Sequence, residues 1–111
     1  MGERAARPAG EEIAMATFIS LINWTDQGIR NYKATTDRAQ AAAAAAEAVG
    51  GKLKDIYWTV GPYDIVTVAE FPDDETGTAF LLTLGAQGNI RSTTLRAFST
   101  DEITAIISRS G

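Results

Sequence analysis

Large apolar side chains occur at both alternating positions of the strand-like segments, and this pattern constrains the fold most. In residues 16–24 the large apolar side chains at even-numbered positions are Phe18, Ile22 and Trp24, and those at odd-numbered positions include Ile19 and Leu21. Successive residues of a strand point to opposite faces, so both faces of the sheet would be apolar. A chain of 111 residues with two or three helices can cover only one face. The pattern therefore predicts a homodimer, in which a second copy of the chain covers the other face.

Turn-forming residues divide the chain into strands and helices in the order βαββαβα. Residues 16–24, 52–60, 63–71 and 89–98 are rich in β-branched and aromatic residues, which predicts strands. Gly61 and Pro62 favour a tight turn between the middle two, which would form a hairpin. Helical crossovers, which are right-handed as a rule, would connect the first strand to the second and the third strand to the fourth. The order predicts an α+β fold with a ferredoxin-like βαββαβ antiparallel sheet, the long helices on one face, and a short C-terminal helix.

Capping residues and helical spacing define the three predicted helices. Thr25 should cap the first helix, and residues 34–37 predict a kink or a second start within it. Asp73 should cap the second helix, and Ser99 and Glu102 form a capping-box pattern before the third. The apolar residues at helical spacing include Ile29 and Tyr32 in the first helix, Phe80, Leu81 and Leu84 in the second, and Ile103, Ile106 and Ile107 in the third.

Composition excludes several classes of site and partner. The chain has no Cys and no His, which excludes disulfides, Cys or His nucleophiles and zinc fingers. No carboxylate cluster predicts a metal site, since Asp73, Asp74 and Glu75 suit a helix start, and we expect no cofactor. The net charge of −4 argues against nucleic acid as a partner. No apolar segment is long enough to span a membrane, so we expect no membrane partner.

The chain is expected to contain one folded domain. Residues 1–14 are polar, contain Pro8 and Gly10, and lack the apolar core of a signal peptide. We therefore expect residues 1–14 to be a disordered extension, residues 15–111 to form one α+β barrel domain, and the protein to be cytoplasmic.

Three separated segments of the chain resemble the GYD-domain family. They are residues 23–31, the turn at residues 61–64, and residues 88–98. Gly61, Tyr63 and Asp64 match the Gly-x-Tyr-Asp pattern that gives the family its name. The resemblance extends over residues 16–107 and implies a small dimeric α+β barrel of ferredoxin-like topology. Related barrel families include cofactor-independent monooxygenases, lactone isomerases and stress-responsive proteins, so the resemblance implies a fold without fixing a reaction.

Asp64 and Tyr63 are the candidate catalytic residues. Asp64 would act as a general base, and Tyr63 as a proton donor or a hydrogen-bond partner of a substrate. The alternative is structural: Asp64 would accept backbone N–H groups or pair with an arginine, and Tyr63 would pack. Gly61 is expected to supply a turn conformation that other residues resist.

Aromatic and amide side chains near the strand ends are further candidates for ligand binding. Trp24 and Trp58 could stack on a flat ligand or fill the core or an interface. Asn23 could orient a ligand carbonyl or end the first strand.

Two arginines on the last strand could bind a carboxylate. Arg91 and Arg96 have opposite parity, so we expect them on opposite faces, with only one of them in a given pocket. The alternative is an ion pair with Asp64, Glu70 or a partner subunit.

These residues leave three functions open. The first is a homo-oligomeric module that binds a small organic molecule or mediates assembly. The second is a cofactor-independent enzyme, monooxygenase-like or isomerase-like, that uses Asp64 and Tyr63 on a small organic substrate. The third is a structural or regulatory subunit. Convergence of Tyr63, Asp64 and one arginine on a cavity would favour the first two.

Overall fold

The computed structural model describes residues 15–111 and has the predicted order of elements. Residues 1–14, expected to be a disordered extension, lie outside the described residues. The strands are β1 Ala16–Trp24, β2 Lys52–Trp58, β3 Ile65–Phe71 and β4 Ile90–Ala97. The helices are α1 Asp26–Arg30, a 3-10 helix Tyr32–Ala34, α2 Thr35–Ala48, α3 Asp74–Ala86 and α4 Thr100–Ser108.

The four strands form one antiparallel sheet in the order β2-β3-β1-β4. β1 and β2 run in the same direction because a helical crossover joins them, but β3 lies between them and pairs with both. This arrangement confirms the predicted α+β fold of ferredoxin-like topology. None of the helices formed by residues 15–111 is both long and apolar enough to span a membrane.

The helices α2 and α3 pack on the face of the sheet that carries Phe18 and Phe71. Phe71 is 1% exposed, and its ring lies 5.9 Å from that of Phe18 and 5.0 Å from that of Phe80 on α3. Ala46 of α2 is fully buried in the same cluster. A Cβ atom on Gly77 of α3 would lie 2.6 Å from the Phe18 ring. Small residues on both helices therefore allow the close approach that buries these rings.

Helix starts agree with the predicted caps. The Thr25 hydroxyl accepts a hydrogen bond from the Gly28 N–H at 3.1 Å. Asp73 Oδ1 accepts one from the Thr76 N–H at 2.7 Å. Both hydrogen bonds of the capping box at Ser99 are present before α4. Local polar chemistry thus fixes where each of these helices begins.

The first predicted helix is interrupted after one turn, and this changes its apolar stripe. α1 ends at Arg30, and the 3-10 turn separates it from α2, so the predicted kink or second start is confirmed. Ile29 and Tyr32, which recur at helical spacing in the sequence, are 45% and 51% exposed and do not form part of a buried stripe. The tighter turn breaks the helical phase between these two residues and α2.

The strands on either side of the hairpin are shorter than predicted, and β2 contains a bulge. The connecting loop spans residues 59–64, so each strand loses two predicted residues at this end. The register of β2 against β3 shifts between Leu53 and Asp55. Leu53 therefore packs on the same face as Ile56 and Trp58, although simple alternation placed it opposite to them.

The face of the sheet away from α2 and α3 is also apolar, and we call it the open sheet face. Tyr57 and Leu95 on this face are 61% and 48% exposed. The strand pairing places six large apolar residues here: Ile19, Leu21, Tyr57, Val66, Val68 and Leu95. α4 adds a second exposed apolar surface, the α4 stripe, made of Ile103, Ile106 and Ile107.

Candidate functional site

The Gly-x-Tyr-Asp turn is bonded to the end of β1 through Asp64. Asp64 Oδ2 accepts a hydrogen bond from the Trp24 N–H at 2.9 Å. The Asp64 N–H donates to the Ile22 carbonyl, and the Asp64 carbonyl accepts from the Thr59 N–H, both at 2.8 Å. Backbone and side chain of Asp64 together therefore extend the hydrogen bonding of β1 beyond its last ladder pair.

Neighbouring residues of the turn add to this connection. The Asn23 amide donates to the Pro62 carbonyl at 2.8 Å. The Thr59 hydroxyl donates to the Tyr63 carbonyl at 2.7 Å, while the Tyr63 side chain is only partly exposed. Gly61 has a φ of 144°, a backbone conformation that side chains disfavour, as expected for the turn.

The third motif segment meets the first at the same end of β1. The Thr25 N–H donates to the Asn89 carbonyl at 3.1 Å, and the Thr25 hydroxyl donates to the Gly88 carbonyl at 2.6 Å. The Gln27 amide donates to Asn89 Oδ1 at 2.9 Å. A Cβ atom on Gly28 would overlap the Asn89 carbonyl oxygen, so only glycine fits there.

These contacts define the β1-end cluster, which contains residues 22–28, 59–64 and 88–89. It unites all three segments that suggested the family, and its bonds are mainly to backbone groups. Among residues 15–111, no group of three potential ligand residues is placed to hold a metal ion. Neither Tyr63 nor Asp64 lines the main cavity of the domain, so the catalytic roles of these two residues stay predictions.

The main cavity lies between the sheet and the helices α2 and α3 and has a volume of about 760 Å³. Trp24 and Trp58 both line it. The Trp58 indole N–H donates to the Thr35 hydroxyl at 3.0 Å. The Trp24 indole nitrogen is buried and has no hydrogen-bond partner within residues 15–111. The two candidate tryptophans are thus brought together in one cavity but differ in their free hydrogen-bonding capacity.

The two arginines of β4 lie on opposite faces, as predicted. Arg96 pairs with Phe18 in the register, and its Nε lies 2.9 Å from Asp74 Oδ1, so Asp74 takes the place of the expected Asp64 or Glu70. The Arg96 guanidinium also lies 4.5 Å from the centre of the Phe98 ring. Glu70 pairs instead with Lys54, at 3.4 Å.

Arg91 is exposed and pairs with Asn23 in the register of β1 and β4, which places its side chain on the open sheet face, although the residue also borders the cavity. No ion pair joins Arg91 to a carboxylate within the described part of the chain.

Two polar residues of the cavity were missed by sequence reasoning. Arg38 of α2 donates to the carbonyls of Asn31 and Gly28, at 2.8 and 3.4 Å. Ser20 is buried, and its hydroxyl lies 2.9 Å from that of Thr94. The available signals were an arginine just before an alanine run and a serine at an inward position of an apolar strand.

Comparison with known proteins finds the following similarities. The crystal structure of TTHA0845 from Thermus thermophilus matches 78% of this chain and 96% of its own, at 26% identity and a TM-score of 0.49. The glutamine synthetase and cystathionine beta-lyase binding protein of Thermus thermophilus is 30% identical over 92 residues, which cover 82% of this chain and 97% of the relative. The family model for the GYD domain matches residues 18–107. The chain therefore belongs to the GYD domain family.

Proposed function

We propose that this protein is a homo-oligomeric binding module that regulates or assembles with a metabolic enzyme in the cytoplasm. The open sheet face carries the proposal, because it presents apolar side chains that the helices of the same chain do not cover. One relative of the protein, from Thermus thermophilus, is named for binding glutamine synthetase and cystathionine beta-lyase, and this name supports an enzyme as the partner.

Burial of the open sheet face favours a second copy of the chain as its cover. Each large apolar side chain contributes about 1.5–3 kcal/mol when it is fully buried. Four of the six on this face are already partly buried, so the gain is smaller than six times this value, but it is still a large term beside the roughly 5–15 kcal/mol that stabilise a typical domain. Two identical faces stacked about a two-fold axis would remove all of them from water at once.

The α4 stripe supplies a further apolar surface for the enzyme partner. Ile107 is 61% exposed, and Ile103 and Ile106 accompany it on the same helix. An amphipathic helix commonly binds by placing such residues, three or four apart, in a groove of its partner. We therefore assign the open sheet face to a second copy of the chain and the α4 stripe to the enzyme partner.

The enzymatic alternative has less support from the geometry. The Asp64 carboxylate already accepts the Trp24 N–H, and Asp64 lies outside the cavity lining. A general base must lie within hydrogen-bond reach of the substrate proton. Because Asp64 and Tyr63 do not line the cavity, a cofactor-independent reaction at these two residues would require a substrate bound elsewhere.

The homo-oligomer is tested by the mass of the native protein in solution. We expect light scattering after size-exclusion chromatography to give a dimer or larger assembly for the wild type. Leu95→Asp should give a folded monomer, because it places a charge in the open sheet face. Val60→Asp is the matched control, since Val60 is fully exposed in the loop after β2. A wild-type monomer at tens of micromolar would contradict this part of the proposal.

The enzyme partner is tested separately with purified glutamine synthetase and cystathionine beta-lyase from the same organism as the protein. We expect biolayer interferometry to detect binding of at least one enzyme by the wild type and by Val60→Asp. Ile107→Asp should lose this binding while it keeps the native mass. Absence of binding to both enzymes would contradict the partner and leave the homo-oligomer unaffected.

A further inference from the structure

The cavity between the sheet and the helices has the size of a small-molecule site. Its volume of about 760 Å³ falls in the range of roughly 300–1,000 Å³ typical of ligand pockets. Ile22 and Ile65 contribute to its floor, and Ala39 and Ala42 of α2 line its wall. The short alanine side chains leave open the space that larger residues would fill, so the alanine-rich sequence of α2 helps to create the cavity.

The charged residues of the cavity have one sign. Arg38 lines it from the helix side, Arg91 borders it from a register position that faces the open sheet face, and no Asp or Glu of residues 15–111 lines it. This is unusual for a chain of net charge −4, because carboxylates outnumber basic groups elsewhere. The carbonyls of Gly28 and Asn31 orient the Arg38 guanidinium without neutralising it. A cavity with apolar walls and only positive charges favours an anion with an apolar body.

The wall of the cavity also contains a donor without an acceptor. The Trp24 indole nitrogen is buried and unpartnered within the described residues, whereas the Trp58 indole bonds to Thr35. A buried donor without an acceptor costs folding free energy, and an acceptor oxygen of a bound molecule would remove this cost. This observation is independent of the arginines and indicates an acceptor on the ligand.

We propose that the cavity binds a small organic carboxylate whose apolar body lies between the sheet and α2. The charge of Arg38 attracts the carboxylate, and the Trp24 indole donates a hydrogen bond to one of its oxygens. The site goes beyond the binding of an enzyme or of a second copy, and it does not depend on either.

The first test compares two probes of the same shape on the wild-type protein, 2-naphthoate and the uncharged 2-naphthamide. Isothermal titration calorimetry should give one naphthoate per chain, bound at least tenfold more tightly than the amide. In ¹⁵N-resolved NMR spectra, naphthoate should shift the indole N–H signal of Trp24, identified with a Trp58→Phe variant. Equal affinity for the two probes, no binding of either at millimolar concentration, or shifts confined to the open sheet face would overturn the proposal.

Two variants then separate the charge from the hydrogen bond. Arg38→Gln should weaken naphthoate at least tenfold and leave the amide nearly unchanged. Trp24→Phe should weaken both probes several-fold, since both carry an acceptor oxygen. Tyr32→Phe is the control, because Tyr32 is half-exposed and outside the cavity, and it should bind as the wild type does. Unchanged naphthoate affinity in both cavity variants would overturn the assignment.

Circular dichroism must show that each variant is folded before it is compared. If Arg38→Gln fails to fold, Arg38→Lys keeps the charge, and it should keep the preference for naphthoate over the amide. Loss of that preference in a folded Arg38→Lys protein would also count against the proposal.

Discussion

The two faces of this sheet are similar in apolar content but differ in what covers them. On the helix-covered face Phe71 is almost fully buried, whereas Leu95 and Tyr57 on the open sheet face remain about half exposed. The difference comes from the helices, because α2 and α3 present small residues such as Ala46 and Gly77 to one face only. Apolar content alone therefore does not identify the core; the position of close-packing small residues does.

The largest expected effect is the loss of a side chain from the helix-covered face. Phe71→Ala should lower the free energy of unfolding by about 3–5 kcal/mol, because it removes a fully buried ring and leaves a void. Leu95→Ala is the matched change on the open sheet face. It should cost less than about 1 kcal/mol in dilute protein, and more at concentrations where the second copy binds. Urea unfolding at two protein concentrations measures both free energies. Equal losses for Phe71→Ala and Leu95→Ala in dilute protein would contradict the difference between the two faces.

A smaller effect is expected where α3 approaches the sheet. Gly77→Ala should lower the free energy of unfolding by up to about 3 kcal/mol, since the added methyl group would overlap the Phe18 ring. Gly85 lies on the same helix, and a methyl group added there would meet no atom within 4 Å. Gly85→Ala should instead stabilise the protein by about 0.5–1 kcal/mol. Thermal unfolding should show a lower melting temperature for Gly77→Ala and a higher one for Gly85→Ala. A higher melting temperature for Gly77→Ala would show that α3 lies farther from the Phe18 ring than the structure indicates.

The β1-end cluster should contribute less to the stability of the protein than the helix-covered face does. Asp64→Ala removes the acceptor of the Trp24 N–H, and we expect a loss of about 1–2 kcal/mol. In a domain of this size that corresponds to several degrees in the melting temperature, with about 4–8 °C per kcal/mol. Scanning calorimetry measures the change. An unchanged melting temperature would favour a functional role for Asp64 over the structural one.

The smallest expected effect is at the exposed ion pair of Arg96. Arg96→Gln should lower the free energy of unfolding by less than about 1 kcal/mol, because the Asp74 side chain is 67% exposed and water screens the pair. Repeating the measurement in about 1 M NaCl should shrink the difference further, since salt screens surface charges. A loss as large as that of Phe71→Ala would show that Arg96 belongs to the core.

The order of elements and the caps could be predicted because each depends on local chemistry. Ser99 with Glu102, and Asp73 before its helix, fix helix starts within a few residues. The place of Leu53 could not be predicted by alternation, because a bulge depends on how β2 fits β3. The exposure of Ile29 likewise follows from a helix break that spacing allowed but did not require.

The candidate site was less predictable than the fold, because it depends on contacts between distant segments. Tyr63 and Asp64 looked like a reactive pair in the sequence, but their backbone groups and the Asp64 carboxylate bond to β1 and its neighbours. The cavity depends on the spacing between α2 and α3, which no local motif records. Arg38 can be recognised as a candidate binding residue only when the other residues that line the cavity are known.

The bulge in β2 makes the two borders of the sheet unequal. On the β2 side, the shift at Lys54 disturbs the spacing of outward hydrogen-bonding groups and places a charge at the border, which discourages another strand from joining there. β4 pairs with β1 in unbroken register and carries serine and threonine in its middle. β4 also carries charges, Arg91 and Arg96, so the irregular spacing of β2 is what distinguishes the two borders. This spacing favours strand addition at β4, and growth by this route would stop after two sheets have joined edge to edge.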